Sequence, residues 1–287
     1  MKCLCFGEIL WDIVGSSKTI GGAPFNVCGH LSELGDSPYI LSSVGLDDLG
    51  QETIEEVKRL NISDKYLKRV PEPTGCAFVT LSNSIPTYSF NYPCAWDDIT
   101  LSAEEKKSLE DENFDCIVYG TLALRESRNR DTLLFLLNNL NFKEFFFDVN
   151  LRLNFYSKET LLLGLEKATM LKLNNEEEIV LKEIFNLNDI AELYKSYPSL
   201  KLILLTLGKD GAVCFTRETK VNAKSQKIEC VNTVGAGDSF SASFLNSYFK
   251  RLSIEESLKR SIKLASYVCQ RNEAIPNYRD KTDEIFR

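Results

Sequence analysis

The sequence predicts an α/β fold: a doubly wound, mostly parallel central sheet flanked by helices, with a small β element set into it. Three observations carry this. Short apolar runs at Asp115–Gly120, Glu144–Asn150, Met170–Asn174 and Leu202–Gly208 alternate with stretches of helical spacing, the rhythm of strands joined by crossover helices. Polar residues gather at the C-terminal ends of those runs, where open sheets of this kind bind ligands. From Thr74 to Tyr92 the texture changes to two alternating runs, Cys76–Ser82 and Thr87–Tyr92, around Asn83-Ser84-Ile85-Pro86, which reads as a hairpin.

Composition narrows the function. A chain of 287 residues can bury a large core, and one domain over 1–287 is expected. A net charge of −7 and a pI near 5.1 argue against a nucleic-acid partner, which needs a clustered basic face. Glu8 is an acid too early for a secretory leader, and no apolar run reaches membrane-spanning length. A soluble, cytoplasmic protein with no membrane partner is expected. Nine cysteines sit mostly in apolar segments without a Cys-x-x-Cys pair, so reduced, buried thiols are the expectation. His30 is the single histidine, which leaves no multi-histidine metal site.

In chain order, residues 2–14 read as one mostly buried strand running through Gly7-Glu8-Ile9-Leu10-Trp11-Asp12. Asp12 either caps a turn there or faces the ligand crevice. Pro24 suits a first helical turn, Val27, Leu31 and Leu34 keep helical spacing, and Gly35 ends the helix. Gly21 and Gly22 give that helix a flexible start, and Asn26 stands one turn in. Tyr39–Gly45 reads as a strand and Asp48–Leu60 as a helix, with Val44-Gly45-Leu46-Asp47-Asp48-Leu49-Gly50 as the turn between them. Asn174 with Glu177 makes a well-formed capping box. Thr206-Leu207-Gly208-Lys209-Asp210-Gly211 is a strand end and a tight turn; Lys209 lacks the Gly-x-x-x-x-Gly-Lys context of a phosphate-loop lysine, and solvent is its usual fate.

The chain is organised around residues 231–245. Gly235, Ala236 and Gly237 let backbone approach a ligand closely just as a buried helix opens, and unpaired N–H groups at such a start seat an anion. Asp238 follows at once. A carboxylate beside an anion seat is explained as a base facing a hydroxyl that attacks a bound phosphoryl group. The plain alternative is a glycine turn with an Asp cap.

Thr233-Val234-Gly235-Ala236-Gly237-Asp238-Ser239-Phe240 resembles the C-terminal signature of the ribokinase-like (phosphofructokinase-B type) sugar kinases. Gly21-Gly22-Ala23-Pro24-Phe25-Asn26 resembles their N-terminal signature, and Gly7–Asp12 is similar to the fructokinase branch. The matches keep the family's order over nearly the whole chain. The resemblance implies a ribokinase-like fold and an ATP-dependent sugar kinase, with fructose as first expectation. A kinase for ribose, a nucleoside or 2-keto-3-deoxygluconate, or a catalytically silent relative, are the alternatives.

The same resemblance implies the roles of particular residues. Asp12, Gly21, Gly22 and Asn26 would hold the sugar, with a β lid from about 13–20 and 72–94 closing over it, Trp96 stacking on its ring, and the lid also pairing two copies in a homodimer. Asn150 and Arg152, in an Asp-x-Asn-x-Arg run, would border the sugar and the phosphates. Asn174 and Glu177 would organise Mg²⁺ through its waters, and Thr206, Gly208, Lys209 and Gly211 would contact ATP. Asp238 would be the base, with the Gly235, Ala236 and Gly237 N–H groups on the migrating phosphoryl. Two departures stand out. Asn232 replaces the Asp that belongs to the ion site of potassium-activated relatives, which leaves K⁺ dependence open, and Glu273 replaces a Gly near the adenine pocket. Asn91-Tyr92-Pro93 stands where relatives acting on acidic sugars carry an Arg, which argues against an acidic sugar.

Overall fold

A computed structural model describes residues 1–82 and 85–287. The strands are β1 (Lys2–Phe6), β2 (Leu10–Val14), β3 (Ser17–Gly21), β4 (Ser37–Gly45), β5 (Ser63–Val70), β6 (Gly75–Ser82), β7 (Ile85–Phe90), β8 (Cys116–Gly120), β9 (Glu144–Asp148), β10 (Met170–Asn174), β11 (Leu202–Thr206), β12 (Ala212–Phe215) and β13 (Lys220–Ala223). The helices are α1 (Ala23–Glu33), α2 (Asp48–Arg59), α3 (Ala103–Glu110), α4 (Ser127–Asn139), α5 (Lys158–Glu166), α6 (Asn175–Phe185), α7 (Leu193–Ser196), α8 (Ala236–Phe249), α9 (Ile254–Cys269) and α10 (Thr282–Phe286).

Among the described residues, nine strands form one sheet in the order β13-β12-β11-β10-β9-β8-β1-β4-β5, and four form a second, β3-β2-β6-β7. Pairing in the large sheet is parallel from β5 across to β11, and β12 and β13 are added antiparallel. The doubly wound, mostly parallel sheet is therefore as expected. β1 shows why the sheet is buried on both faces. Its alternate side chains part between two cores: Leu4 and Phe6 pack with Leu133 and Leu161 on one side, and Cys3 and Cys5 pack with Phe25, Cys28 and Phe244 on the other.

The structure corrects three sequence readings. The expected strand over residues 2–14 is two strands in two different sheets. Gly7 has φ 143, and a Cβ there would lie 2.7 Å from the Pro24 ring, so the chain turns out of the large sheet at Gly7 and enters the small one at Leu10. Asp12 accordingly belongs to the small sheet. Two strands escaped the periodicity, β5 (SDKYLKRV) and β13 (KVNA). Both are sheet edges, where one side faces water and lysines discourage further pairing, so neither carries an apolar run. The expected hairpin is present, but Ile85-Pro86 already belongs to β7, and Asn83-Ser84 lies outside the described residues.

The turn at Asp47 roots the small sheet. The Asp47 carboxylate caps α2 through Gly50 N at 2.8 Å and accepts from Thr74 N at 2.8 Å. Gly50 sits so close to the end of β4 that a Cβ would come within 2.1 Å of Gly45 O. One carboxylate thus ties a helix start, the end of β4 and the residue before β6 together, which gives this turn a structural role.

Candidate active site

The candidate site lies where the C-terminal ends of β9, β10 and β11 meet the first turns of α1, α6 and α8, joined by hydrogen bonds between these elements. Gly235 caps α8 in the left-handed region, φ 80, and a Cβ there would lie 2.5 Å from Ala274 O, so two backbones touch at a place only glycine fits. The N–H groups of Gly235, Gly237 and Asp238 have no protein acceptor among the described residues. Ala236 differs from the expectation: its N–H donates to Thr233 O at 3.2 Å, closing the turn, so it is not part of the open nest.

Asp238 lies in the first turn of α8, and Asn26 Nδ2, one turn into α1, donates to its Oδ2 at 2.8 Å. Two segments 212 residues apart therefore meet at the carboxylate. Burial, together with the neighbouring Asp148 charge, pushes Asp238 up to about 6, against the pull of Asn26, Lys172 and Arg152. A carboxylate with that affinity is ionised at neutral pH and is a better proton acceptor than an exposed Asp.

Beneath the nest lies a residue that the sequence reading did not single out. Lys172, on β10, is buried, and its Nζ donates to Asp148 Oδ1 at 3.0 Å. Ser241 Oγ donates to the other oxygen, Oδ2, at 3.2 Å. Burial opposes the Lys172 charge, but the Asp148, Glu177 and Asp238 carboxylates outweigh it and hold the ammonium above its ordinary range. A Cβ on Gly237 would sit 3.2 Å from Lys172 Nζ, so the ammonium reaches the floor of the anion nest. The signal was present: a lysine inside the otherwise apolar run Met170–Leu173 is costly unless carboxylates await it.

Asn174 and Glu177 form the expected capping box on α6. Asn174 Oδ1 accepts from the N–H groups of Glu176 and Glu177, both at 2.9 Å, and Glu177 Oε2 accepts from Asn174 N at 2.8 Å. Glu177 Oε1 accepts from Leu151 N at 3.0 Å, tying the loop after β9 to the helix. That loop turns at Asn150, φ 41, and leads to an exposed Arg152. Among the described residues no cluster of three or more His, Cys, Asp or Glu side chains could hold a metal ion directly.

The other end of the cleft belongs to the small sheet and the start of α1. Gly22, φ 105, precedes α1, and a Cβ there would lie 2.5 Å from Glu8 O. At Gly21 a Cβ would lie 3.0 Å from Asp12 Oδ2, so the missing side chain leaves room in front of that carboxylate. Burial raises Asp12, with Arg152 opposing, and pushes Glu8 up to about 7 while its Oε1 accepts from Ala23 N at 3.3 Å. Arg152 thus sits in the field of three carboxylates, Glu8, Asp12 and Asp238.

Several expected site residues stand elsewhere or have other reasons to be present. Trp96 is fully buried, and the Arg125 guanidinium covers its ring at 3.8 Å, so it offers no free face to a sugar; the expected stacking role is corrected to a core one. Arg125 itself is a guanidinium close to the segment where the sequence lacked one. It is already neutralised, with Nε 2.6 Å from Asp97 Oδ1 and Nη2 2.7 Å from Oδ2. Thr206 ends β11, and Gly208–Asp210 form a single exposed turn with Lys209 in solvent. Gly211, φ 101, is held against β13, where a Cβ would come within 2.1 Å of Ala223 O, so packing alone demands that glycine. Asn232 Oδ1 accepts from Val234 N, and its Nδ2 donates to Asn272 O, both at 3.0 Å. The Asn232 amide thus bridges the segment before the nest and the one after α9.

Comparison with known proteins agrees with this arrangement. The family described as pfkB family carbohydrate kinase matches residues 6–281. The chain is 27% identical over 286 residues to an ATP-dependent 6-phosphofructokinase of Thermoanaerobacterium thermosaccharolyticum, covering 92% of this chain and 86% of that one. It is 28% identical over 297 residues to a probable chloroplastic fructokinase of Arabidopsis thaliana, covering 92% and 75%. The solved structure of a fructokinase with bound ATP from Xylella fastidiosa superposes with a TM-score of 0.87 at 19% identity, over 99% and 97% of the two chains, a likeness of fold. With a family match over nearly its whole length, the chain belongs to the pfkB family of carbohydrate kinases.

Proposed function

We propose that this ATP-dependent sugar kinase phosphorylates a neutral sugar, fructose first, at a primary hydroxyl. The observation that carries the reading is Asp238, oriented by Asn26 and set between the open N–H groups of Gly235 and Gly237 and the carboxylates near Asp12. In this reading Asp12 accepts hydrogen bonds from the sugar, in the space left by Gly21 and Gly22. Asp238 takes the proton of the attacking hydroxyl, while the nest N–H groups and the Lys172 ammonium hold the charge of the migrating phosphoryl group. Arg152 reaches over both ends. Mg²⁺, when bound with the nucleotide, neutralises phosphate oxygens; Glu177 and Asp148 are the carboxylates that would face its waters, in keeping with an ion that retains much of its hydration shell.

The charge balance favours a neutral substrate over a sugar phosphate or a sugar acid. Three carboxyl groups, Glu8, Asp12 and Asp238, share the field of Arg152, whereas Arg125 is closed off by Asp97. A second anionic group on the sugar would compete with three carboxyl groups for that one cation. The small sheet, strands β2, β3, β6 and β7, is the proposed lid, and pairing of two copies through it belongs to the same reading; sedimentation of the purified chain tests the latter.

The deciding experiment measures ADP release by purified protein with Mg-ATP and each of fructose, fructose 6-phosphate, ribose, a nucleoside and 2-keto-3-deoxygluconate. Fructose should give the highest kcat/KM. Preference for fructose 6-phosphate or the keto acid would overturn the charge argument, and no sugar-stimulated release at all would make this a silent relative.

A further inference from the structure

Of the nine cysteines, seven are buried, Cys269 is half-buried and Cys230 is exposed. The two that are not buried are neighbours in space, because the residue after Cys230 is hydrogen-bonded to Cys269. Cys269 ends α9, and Cys230 lies in the segment that leads to the anion nest. Burial, with the Cys230 thiol as near neighbour, raises the Cys269 thiol to about 11. The backbones are also joined: Val231 N and Asn232 N both donate to Cys269 O, at 2.8 and 3.1 Å. A disulfide joins residues of adjoining segments, with ~4.4–6.8 Å between their Cα atoms.

The position gives the pair its meaning. Five residues after Cys230 comes Gly235, the cap of the nest, and five after Cys269 comes Ala274, the residue whose backbone Gly235 touches. Asn232 Nδ2 to Asn272 O is a further link between the same two segments. The nest is therefore the joint between two short straps, and the two thiols sit at the root of both.

We propose that Cys230 and Cys269 form a reversible disulfide that acts on the nucleotide end of the site. With glutathione disulfide as oxidant, the accessible Cys230 thiolate attacks one of its sulfurs, forming a mixed disulfide and releasing one glutathione thiolate. Cys269 then loses its proton and attacks the Cys230 sulfur, and the second glutathione leaves as thiolate. The protein loses two electrons and two protons, and glutathione disulfide becomes two glutathione. In a reducing compartment such a bond is regulatory rather than structural. Closing it draws the exposed Cys230 inward onto α9 and shifts the strap that sets Gly235, so nucleotide binding weakens while the sugar end, built from other elements, is untouched.

The test treats the native protein with glutathione disulfide, maps its disulfides by peptide mass spectrometry, and measures KM for ATP and for the sugar before and after reduction. A Cys230–Cys269 bond, a KM for ATP raised at least about five-fold, an unchanged sugar KM and full reversal by dithiothreitol are expected. Cys230→Ser should match the reduced wild type and be insensitive to the oxidant. Bonding of another cysteine pair, no bond under native conditions, or a 230–269 bond with unchanged KM for ATP would each overturn the proposal. The mapping reads the bond whichever sugar is the substrate, so its failure is distinct from failure of the fructose assignment.

Discussion

The two ends of the cleft are built by different means. At the end proposed for the phosphates Asp148, Lys172, Ser241, Asn174 and Glu177 are cross-bonded to one another or to backbone, and all stand on large-sheet strands or the first turns of the helices that follow them. At the sugar end Asp12 and Gly21 stand on a four-stranded sheet of its own, tied to the rest through few polar contacts, chief among them Asp47. The difference follows from the chemistry. Phosphoryl transfer needs charges held still in a dry setting, whereas a sugar must enter and leave. Asn26 to Asp238 joins the ends directly, since it runs from the helix behind the small sheet to the start of α8.

Six substitutions can break or sharpen this contrast. Asp238→Asn should have the largest effect, lowering kcat by ~10²–10⁴-fold through loss of the base while ATP binding, read by calorimetry, survives. Lys172→Met comes next: removing one partner of a buried ion pair costs about 3–5 kcal/mol, read as a shift of the denaturation midpoint, and kcat should fall by ~10²-fold from loss of phosphoryl stabilisation. Asp12→Asn at the looser end should leave the denaturation midpoint nearly unchanged and raise the sugar KM by ~10–100-fold, the range of one or two charged hydrogen bonds.

Smaller in size is the pH response. Because Asp238 is raised to about 6 and works as the anion, kcat/KM should fall as pH drops through about 6. Asn26→Ala removes a hydrogen bond to the charged form, so that limb should move to higher pH; Glu8→Gln should leave it in place. Trp96→Phe should have the least effect on function, with a sugar KM within about two-fold of wild type and about 1 kcal/mol of stability lost. A large rise in the sugar KM would return Trp96 to the sugar site.

Much of the cleft was legible because its chemistry is local. The Gly235–Asp238 run, the glycines before α1 and the Asn174/Glu177 box each show their function in a few consecutive residues, since caps and nests are made by neighbours in sequence. The same locality misled at Trp96 and Ala236. An aromatic next to the small sheet reads as a sugar platform, but burial beneath Arg125, from a different element, decided otherwise. A small residue between two glycines reads as a third open donor, yet its N–H closes the turn on Thr233. Strand β1 was legible from its apolar run, but its end was not, because leaving one sheet for another at Gly7 leaves no mark on hydrophobicity.

The sequence by itself determined the doubly wound sheet and the kinase family, because periodicity and short-range motifs are written along the chain. Tertiary structure alone decided that Lys172 pairs with Asp148 under the nest, that Asn26 reaches Asp238, that Arg125 is neutralised by Asp97, and that the segment of Cys230 is bonded to Cys269. Each is a meeting of residues at least 24 positions apart. Charge pairing acts through space with no preferred separation in sequence, so only the packed fold shows which partners it joins.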